Sequence, residues 1–288
     1  ASARKLFGFG GYTLVSSLLD AAYTRFYTVI VGRWFGTRDL GYYNNADTTR
    51  QMPTRFVGAI LLRAALPMFA EAAQNPQKLR RGLQLSIRGT MLMNAPLMLG
   101  GAALAEPLVR VVFGLRWLPA APILSVLCLA GVLYPLHALN LHVLLAQGHS
   151  KRMFHIEVAK KIMGIALIVA GSFFGLIGIA WSQVAFSILS LALNTHYSGK
   201  FLGYGLVAQS RDVLPTVALA LVMAAVVAAL DHYWPWETHA AIRFGVLICT
   251  GAVFFIAGAA ALRLEAFRDV ALILQSRSSP RHGEMGAL

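Results

Sequence analysis

Apolar stretches of roughly 20 residues recur about eight times along this chain, each the length that carries a helix across a ~30 Å hydrocarbon core. They fall near residues 7–31, 52–70, 83–105, 120–146, 154–174, 176–197, 213–230 and 241–262. Hydrophobic residues make up 57% of the 288 positions and charged ones only 13%, a balance that a single water-soluble core of this size does not absorb. The alternating pattern of a β-barrel is absent. The expected fold class is therefore all-α and integral to the membrane, with about eight transmembrane helices.

Punctuation between the spans agrees. Gln74-Asn75-Pro76 and Gly148-His149-Ser150 are turn sequences, and Trp234-Pro235-Trp236 places indole rings where a bilayer's headgroups lie. With alternating helices, one face receives Arg4, Lys5, Lys78, Arg80, Arg81, Lys151, Arg152, Lys200, Arg211, Arg263, Arg268, Arg277 and Arg281. The other receives Arg33, Arg38, Arg50, Arg110, Arg116 and Arg243. The positive-inside rule puts the richer face, and both termini, in the cytoplasm. The net charge of +13 is accounted for by these flanking loops, so no nucleic-acid partner is inferred.

The two cysteines, Cys128 and Cys249, sit in apolar spans without ligand-spaced partners, and His137, His142 and His155 form no ligand pattern. No metal or cofactor is expected. No GxSxG elbow, HExxH helix or Walker loop occurs, and the 12 acidic residues lie mostly in connectors or the tail, so the chain reads as a transporter and not an enzyme. The first span contains Asp20 and Arg25 and is too long for a cleaved signal. The chain starts at Ala1, which reads as processing or as a fragment of something longer.

Polar residues inside the spans carry the functional information, because a charge at membrane depth is costly unless it meets water or a partner. On a helical projection Thr13, Ser17, Asp20, Thr24 and Thr28 share one face of the first span, with Arg25 at its edge. Thr48, Gln51 and Arg55 share a face of the second, with Arg63 two turns on; Gln84 and Arg88 are spaced i,i+4 in the third. His137, Asn140 and Gln147 cluster on the fourth, and Gln183, Ser187, Ser190 and Asn194 form a line on the sixth. Each has an alternative reading: snorkelling or pairing for the arginines, charge neutralisation for Asp20, interhelical hydrogen bonding for the Ser, Thr, Asn and Gln stripes, and a salt-bridged helix end for Glu157, Lys160 and Lys161. The last two spans lack polar stripes and read as lipid-facing.

A set of short motifs then resembles a known family. Gly41-Tyr42-Tyr43-Asn44-Asn45-Ala46, Met52-Pro53, Leu66-Pro67-Met68-Phe69-Ala70, Asn75-Pro76-Gln77-Lys78-Leu79-Arg80, Arg116-Trp117-Leu118-Pro119-Ala120-Ala121-Pro122, Ala146-Gln147-Gly148 and Phe174-Gly175-Leu176-Ile177-Gly178-Ile179-Ala180 follow one another in order. In that order they resemble the polysaccharide-transport branch of the multidrug/oligosaccharidyl-lipid/polysaccharide flippase superfamily. The resemblance covers the second six-helix lobe of such proteins and the two helices that often follow it. It implies a six-helix lobe over 1–205, an appended helix pair over 206–265 and a cytoplasmic tail over 266–288, in a bacterial inner membrane. It further implies movement of a polyprenyl-diphosphate-linked oligosaccharide by alternating access, with a missing N-terminal six-helix lobe, or a second copy of this chain, as partner.

A diphosphate calls for fixed positive charge, and guanidinium forks match its oxygens. Arg25, Arg55, Arg63 and Arg88 are the candidate substrate ligands by their placement in the spans, Asp20 is the candidate coupling group or charge partner, and Ser17, Thr24, Gln51, His137, Asn140, Gln183 and Asn194 are candidate cavity-lining residues. The alternatives at this stage are a multidrug-type exporter, a membrane-embedded glycan polymerase or ligase, and a non-transporting remnant. Arginines outnumber span carboxylates, which disfavours an organic cation as cargo. The longest non-apolar outside connector, expected near Arg33 to Gln51, is short for a polymerase.

Overall fold

The computed structural model describes residues 2–147, 150–234 and 239–269, with side chains throughout except at 2–17, 19–28, 60–64, 66 and 150–152. Every regular element among the described residues is helical: α1 (Ser2–Ala72), α2 (Pro76–Ala103), α3 (Ala105–Val112), a 3-10 turn (Leu115–Ala120), α4 (Ala121–Gly131), α5 (Tyr134–Ala146), α6 (Ser150–Ser172), α7 (Gly175–Leu202), α8 (Leu206–Tyr233) and α9 (Ala240–Ala261). The all-α membrane fold is thus the observed one. Among the described residues four stretches are long and apolar enough to cross a membrane, namely Leu115–Ala146, Gly175–Leu202, Leu206–Tyr233 and Ala240–Ala261. A fifth results if α2 and α3, bent by 76° at their junction, count as one span. Glu157, Lys160 and Lys161 keep α6 outside that set.

The first two expected spans lie on the two arms of α1, which part at Gly36, where φ is 85° and ψ is 174°. That backbone conformation is open in practice to glycine alone, so one residue redirects the chain without a loop. The segment 33–51, expected as a connector, is therefore helical on both sides of the break. Side-chain pairs at i,i+3 and i,i+4 spacing among Asp47, Arg50 and Gln51 support the helix through this polar stretch.

The other boundaries have local causes. Asn75 caps α2 by accepting from the backbone N–H of Gln77 and Lys78 at 3.1 and 3.0 Å, with Pro76 at the first helical position where no N–H is needed. Gly203, left-handed at φ 62°, ends α7. The expected fourth span is broken between α4 and α5, where Pro135 withdraws a donor. The carbonyls freed there are answered from other helices: Asn94 of α2 donates to the oxygens of Gly131 and Val132 at 3.1 and 2.9 Å, and Ser187 of α7 donates to Ala130 at 3.0 Å.

Two apolar clusters hold the helices together. Val31, Tyr43 and Ala46 of α1 pack with Val109, Leu124, Leu127, Ile168 and Ile179, joining α1, α3, α4, α6 and α7. Phe69 of α1 and the Leu79, Leu83, Ile87, Met91 and Met98 face of α2 pack with Leu136 and Leu139 of α5, Leu219 and Met223 of α8, and Leu247 and Phe255 of α9. The last two helices accordingly share a core with the first two and turn Leu214, Leu221, Val222, Val253 and Ile256 outward. In the α6–α7 hairpin a Cβ at Gly171 would stand 2.6 Å from the carbonyl oxygen of Gly178, so only glycine permits this approach.

Candidate functional site

The second arm of α1 carries a ladder of polar side chains at its middle. Arg50 Nη2 lies 2.6 Å from Asp47 Oδ1, Gln51 Nε2 donates to the other oxygen of Asp47, and Arg55 Nη2 donates to Gln51 Oε1 at 2.8 Å. Each step is one helical turn, so the hydrogen bonds run along the helix and draw on no other element. Arg55 is exposed, flanked by Met52 at 65% and Phe56 at 61%. At 1.5 Å per residue it stands on the order of 25 Å from either end of this arm. Were this part of the arm to lie within the hydrocarbon, the guanidinium would need water or another protein surface to meet it.

Arg88 sits in different surroundings. Its Nη2 is 2.6 Å from Asp212 Oδ1 on α8, and its Nη1 is 2.5 Å from Glu265 and 3.7 Å from Asp269, both just beyond α9. Gln84, one turn earlier, donates to Asp212 at 2.9 Å, and the Tyr204 hydroxyl donates to the same oxygen at 2.6 Å. Burial first, and then this bond to Asp212, push the Tyr204 phenol up, so it stays a donor. Arg80 lies over the Tyr204 ring at 5.9 Å. The group clasps α2, α8 and the segment after α9.

A third polar group is the seam between α5, α7 and α8. Asn140 and Gln209 exchange amide hydrogen bonds, both at 2.9 Å, Ser198 donates to Asn140, and Gln209 also donates to the Tyr204 carbonyl at 3.0 Å. His137 meets Ser187 at 3.0 Å. Asn140, Ser198 and Gln209 are fully buried. Asn194, also buried, has both amide atoms without a hydrogen-bond partner, and Gln183 is half-buried on the same helix. On α6, Glu157 pairs with Lys160 at 2.5 Å and Lys161 at 3.6 Å.

Of the residues singled out from the sequence, Gln51 and Arg55 come together on α1, while His137, Asn140 and Asn194 lie along the α5–α7 seam. Arg88 stands apart from both groups. Ser17, Asp20, Thr24, Arg25 and Arg63 lie outside the residues whose side chains are described. Sequence reasoning passed over Asp47 and Arg50, although their i,i+3 spacing was visible. It also missed Asp212, Glu265, Asp269, Tyr204 and Gln209. Only the i,i+4 pair Gln84 and Arg88 signalled that cluster, and its partners are more than 100 residues away in sequence. Among the described residues no three His, Cys, Asp or Glu side chains come together as metal ligands.

Residues 1–122 match the family described as "Polysaccharide biosynthesis protein". The chain is 25% identical over 258 residues to the teichuronic acid biosynthesis protein TuaB of Bacillus subtilis (strain 168), a match covering 88% of this chain and 53% of TuaB. It is 26% identical over 187 residues to the lipopolysaccharide biosynthesis protein WzxC of Escherichia coli (strain K12), covering 65% of this chain and 38% of WzxC. Among solved structures, the lipid II flippase MurJ in an inward closed conformation has the same fold with a TM-score of 0.65 at 16% identity, over 81% of this chain and 48% of MurJ. The chain thus spans about half the length, or less, of the proteins it matches. Along its first 122 residues the chain is similar in sequence to a family of polysaccharide-biosynthesis proteins, and over most of its length it has the fold of the lipid II flippase MurJ.

Proposed function

We propose that this chain is one half of a flippase that moves a polyprenyl-diphosphate-linked oligosaccharide across a bacterial inner membrane by alternating access. The supporting observation is the polar ladder on α1, half-buried at Asp47, Arg50 and Gln51 and ending in an exposed Arg55 at mid-helix. Placed within the bilayer, as this reading has it, a surface with that charge needs an opposing surface and suits an anionic headgroup between the two. The likeness to TuaB, WzxC and MurJ, of which this chain matches 53%, 38% and 48%, supports both the cargo class and a second lobe, whether on another segment or on a second copy of this chain.

In this reading Arg25, Arg55 and Arg63 hold the diphosphate, Asp20 balances or couples their charge, and both termini face the cytoplasm. Arg88 is less available than Arg55, since three carboxylates already surround it. The chain itself performs no covalent chemistry.

The test is export in a bacterial strain whose surface glycan depends on the transporter containing this chain. Arg55→Ala should lower surface glycan at least ~10-fold with unchanged membrane levels, and Arg55→Lys should recover part of it, because an ammonium keeps the charge and loses the fork. Normal export by the alanine variants of Arg25, Arg55 and Arg63 would overturn the cationic cavity.

A further inference from the structure

Two of the family-like segments, Gly41-Tyr42 and Arg116-Trp117, are unused by the transport reading, yet they meet in space. The break at Gly36 starts the second arm of α1 with Thr37 and Arg38, and Gly114, at φ 86°, swings the 3-10 turn alongside it. Between them lies a cavity of 460 Å³ lined by Thr37, Arg38, Gly41, Tyr42, Arg116 and Trp117. Its volume is that of a small-molecule site.

The lining is organised. The Tyr42 and Trp117 rings stand edge to face, 5.9 Å apart at 87°. Tyr42 is buried, and its hydroxyl accepts from Arg38 Nε at 3.0 Å, which orients that guanidinium 5.7 Å from the ring centre. This bond uses Nε and engages neither terminal nitrogen of Arg38. Arg38 and Arg116 are both exposed, and Asp39 next to Arg38 in the chain adds to the hold on its positive charge. A Cβ added at Gly41 would meet Trp117 at 3.9 Å, an ordinary contact, so glycine is not required there by packing and instead leaves the floor open.

Two guanidinium groups beside an aromatic wall match one ligand chemistry closely. The rings suit the C–H face of a pyranose, and the guanidinium forks suit a carboxylate on it. A neutral sugar would make no use of the two exposed guanidinium groups, and a bare phosphate would leave the rings unused. The pocket lies at the opposite end of α2 from Lys78, Arg80 and Arg81, which makes it the outer face in the orientation proposed above.

We propose that this pocket is a binding site for an acidic hexose unit, a uronic acid, of the glycan as it emerges; the identity of the cargo as a glycan rests on the function proposed above. The test is binding, without translocation. The 288-residue chain in phosphatidylcholine nanodiscs is titrated calorimetrically with a tetrasaccharide of alternating glucuronic acid and N-acetylglucosamine. The neutral tetrasaccharide chitotetraose and inorganic phosphate are titrated in parallel, and the acidic sugar is repeated in discs containing phosphatidylglycerol.

The acidic tetrasaccharide should bind at least ~10-fold more tightly than chitotetraose, and Arg38→Ala, Arg116→Ala, Trp117→Ala and the cavity-filling Gly41→Leu should each weaken it ~10-fold. Arg116 is exposed, so its variant keeps the fold. Equal competition by phosphate would reduce the site to a general anion site, and loss of sugar binding in phosphatidylglycerol discs would make it a lipid-headgroup site; either overturns the proposal, as does binding indifferent to Arg116→Ala and Gly41→Leu. Because the Arg55 export experiment reads a different step, failure of the pocket and failure of the flippase reading are told apart.

Discussion

Arg55 and Arg88 are both arginines within long helices, and their surroundings are opposite. Arg88 is met by Asp212, Glu265 and Asp269 from distant parts of the same chain. Among the described residues Arg55 is hydrogen-bonded by Gln51 of its own helix alone, and it is exposed between Met52 and Phe56. The contrast separates two uses of charge on a helix. A cation answered within the chain holds helices together, whereas a cation left unanswered is stable only where something outside the chain completes its surroundings.

The largest effect that would sharpen this contrast is on stability at the clasp. Arg88→Ala leaves three carboxylates facing one another without a counter-charge and should cost about 3 kcal/mol, by the usual penalty for breaking a largely buried pair. Thermal unfolding of the purified chain in detergent reads it. The double variant Arg88→Ala, Asp212→Asn should recover part of the loss, since one of the stranded charges is removed. If Arg88→Ala unfolds at the wild-type temperature, the cluster is not a clasp.

An intermediate effect is expected at the seam. Gln209→Leu strands the amide of Asn140 and the carbonyl of Tyr204, and should cost about 2 kcal/mol in the same unfolding measurement. A loss of export with unchanged stability would instead make the seam part of the transport path.

The smallest effect belongs to Arg55. In the isolated chain Arg55→Ala should change stability by less than about 0.5 kcal/mol, as for exposed substitutions that break no packed contact. An Arg55→Ala variant as unstable as Arg88→Ala would erase the contrast and return Arg55 to a structural role.

Much of the architecture was legible from the chain alone. Span-length apolar stretches announced an all-helical membrane protein, and the turn sequences Asn75-Pro76 and Phe174-Gly175 stand where helices begin in the structure. The break in α1 was read as a loop because 33–51 is polar, but polarity distinguishes lipid from water, not helix from coil. One glycine with positive φ is enough to redirect a helix. The polar stripes were placed on helices correctly, but their meaning was not readable there. Asn140, His137 and Arg55 look alike in projection. In the folded chain Asn140 exchanges hydrogen bonds with Gln209, His137 meets Ser187, and Arg55 is hydrogen-bonded to Gln51 of its own helix.

What the sequence by itself determined is whatever depends on near neighbours along the chain: helical periodicity, the Asn75 cap, the Asp47–Arg50–Gln51–Arg55 ladder and the hydrophobic length of each span. These follow from backbone hydrogen bonding and transfer free energy, which act over a few residues. The tertiary structure alone decided which charges are answered. The Asp212 carboxylate reaches Arg88 across 124 residues, and Trp117 reaches Tyr42 from a different helix, because packing α2 against α8 and the 3-10 turn against α1 buries apolar faces that fix where polar groups end up. Distance in space, and not spacing in sequence, sets the electrostatic partner.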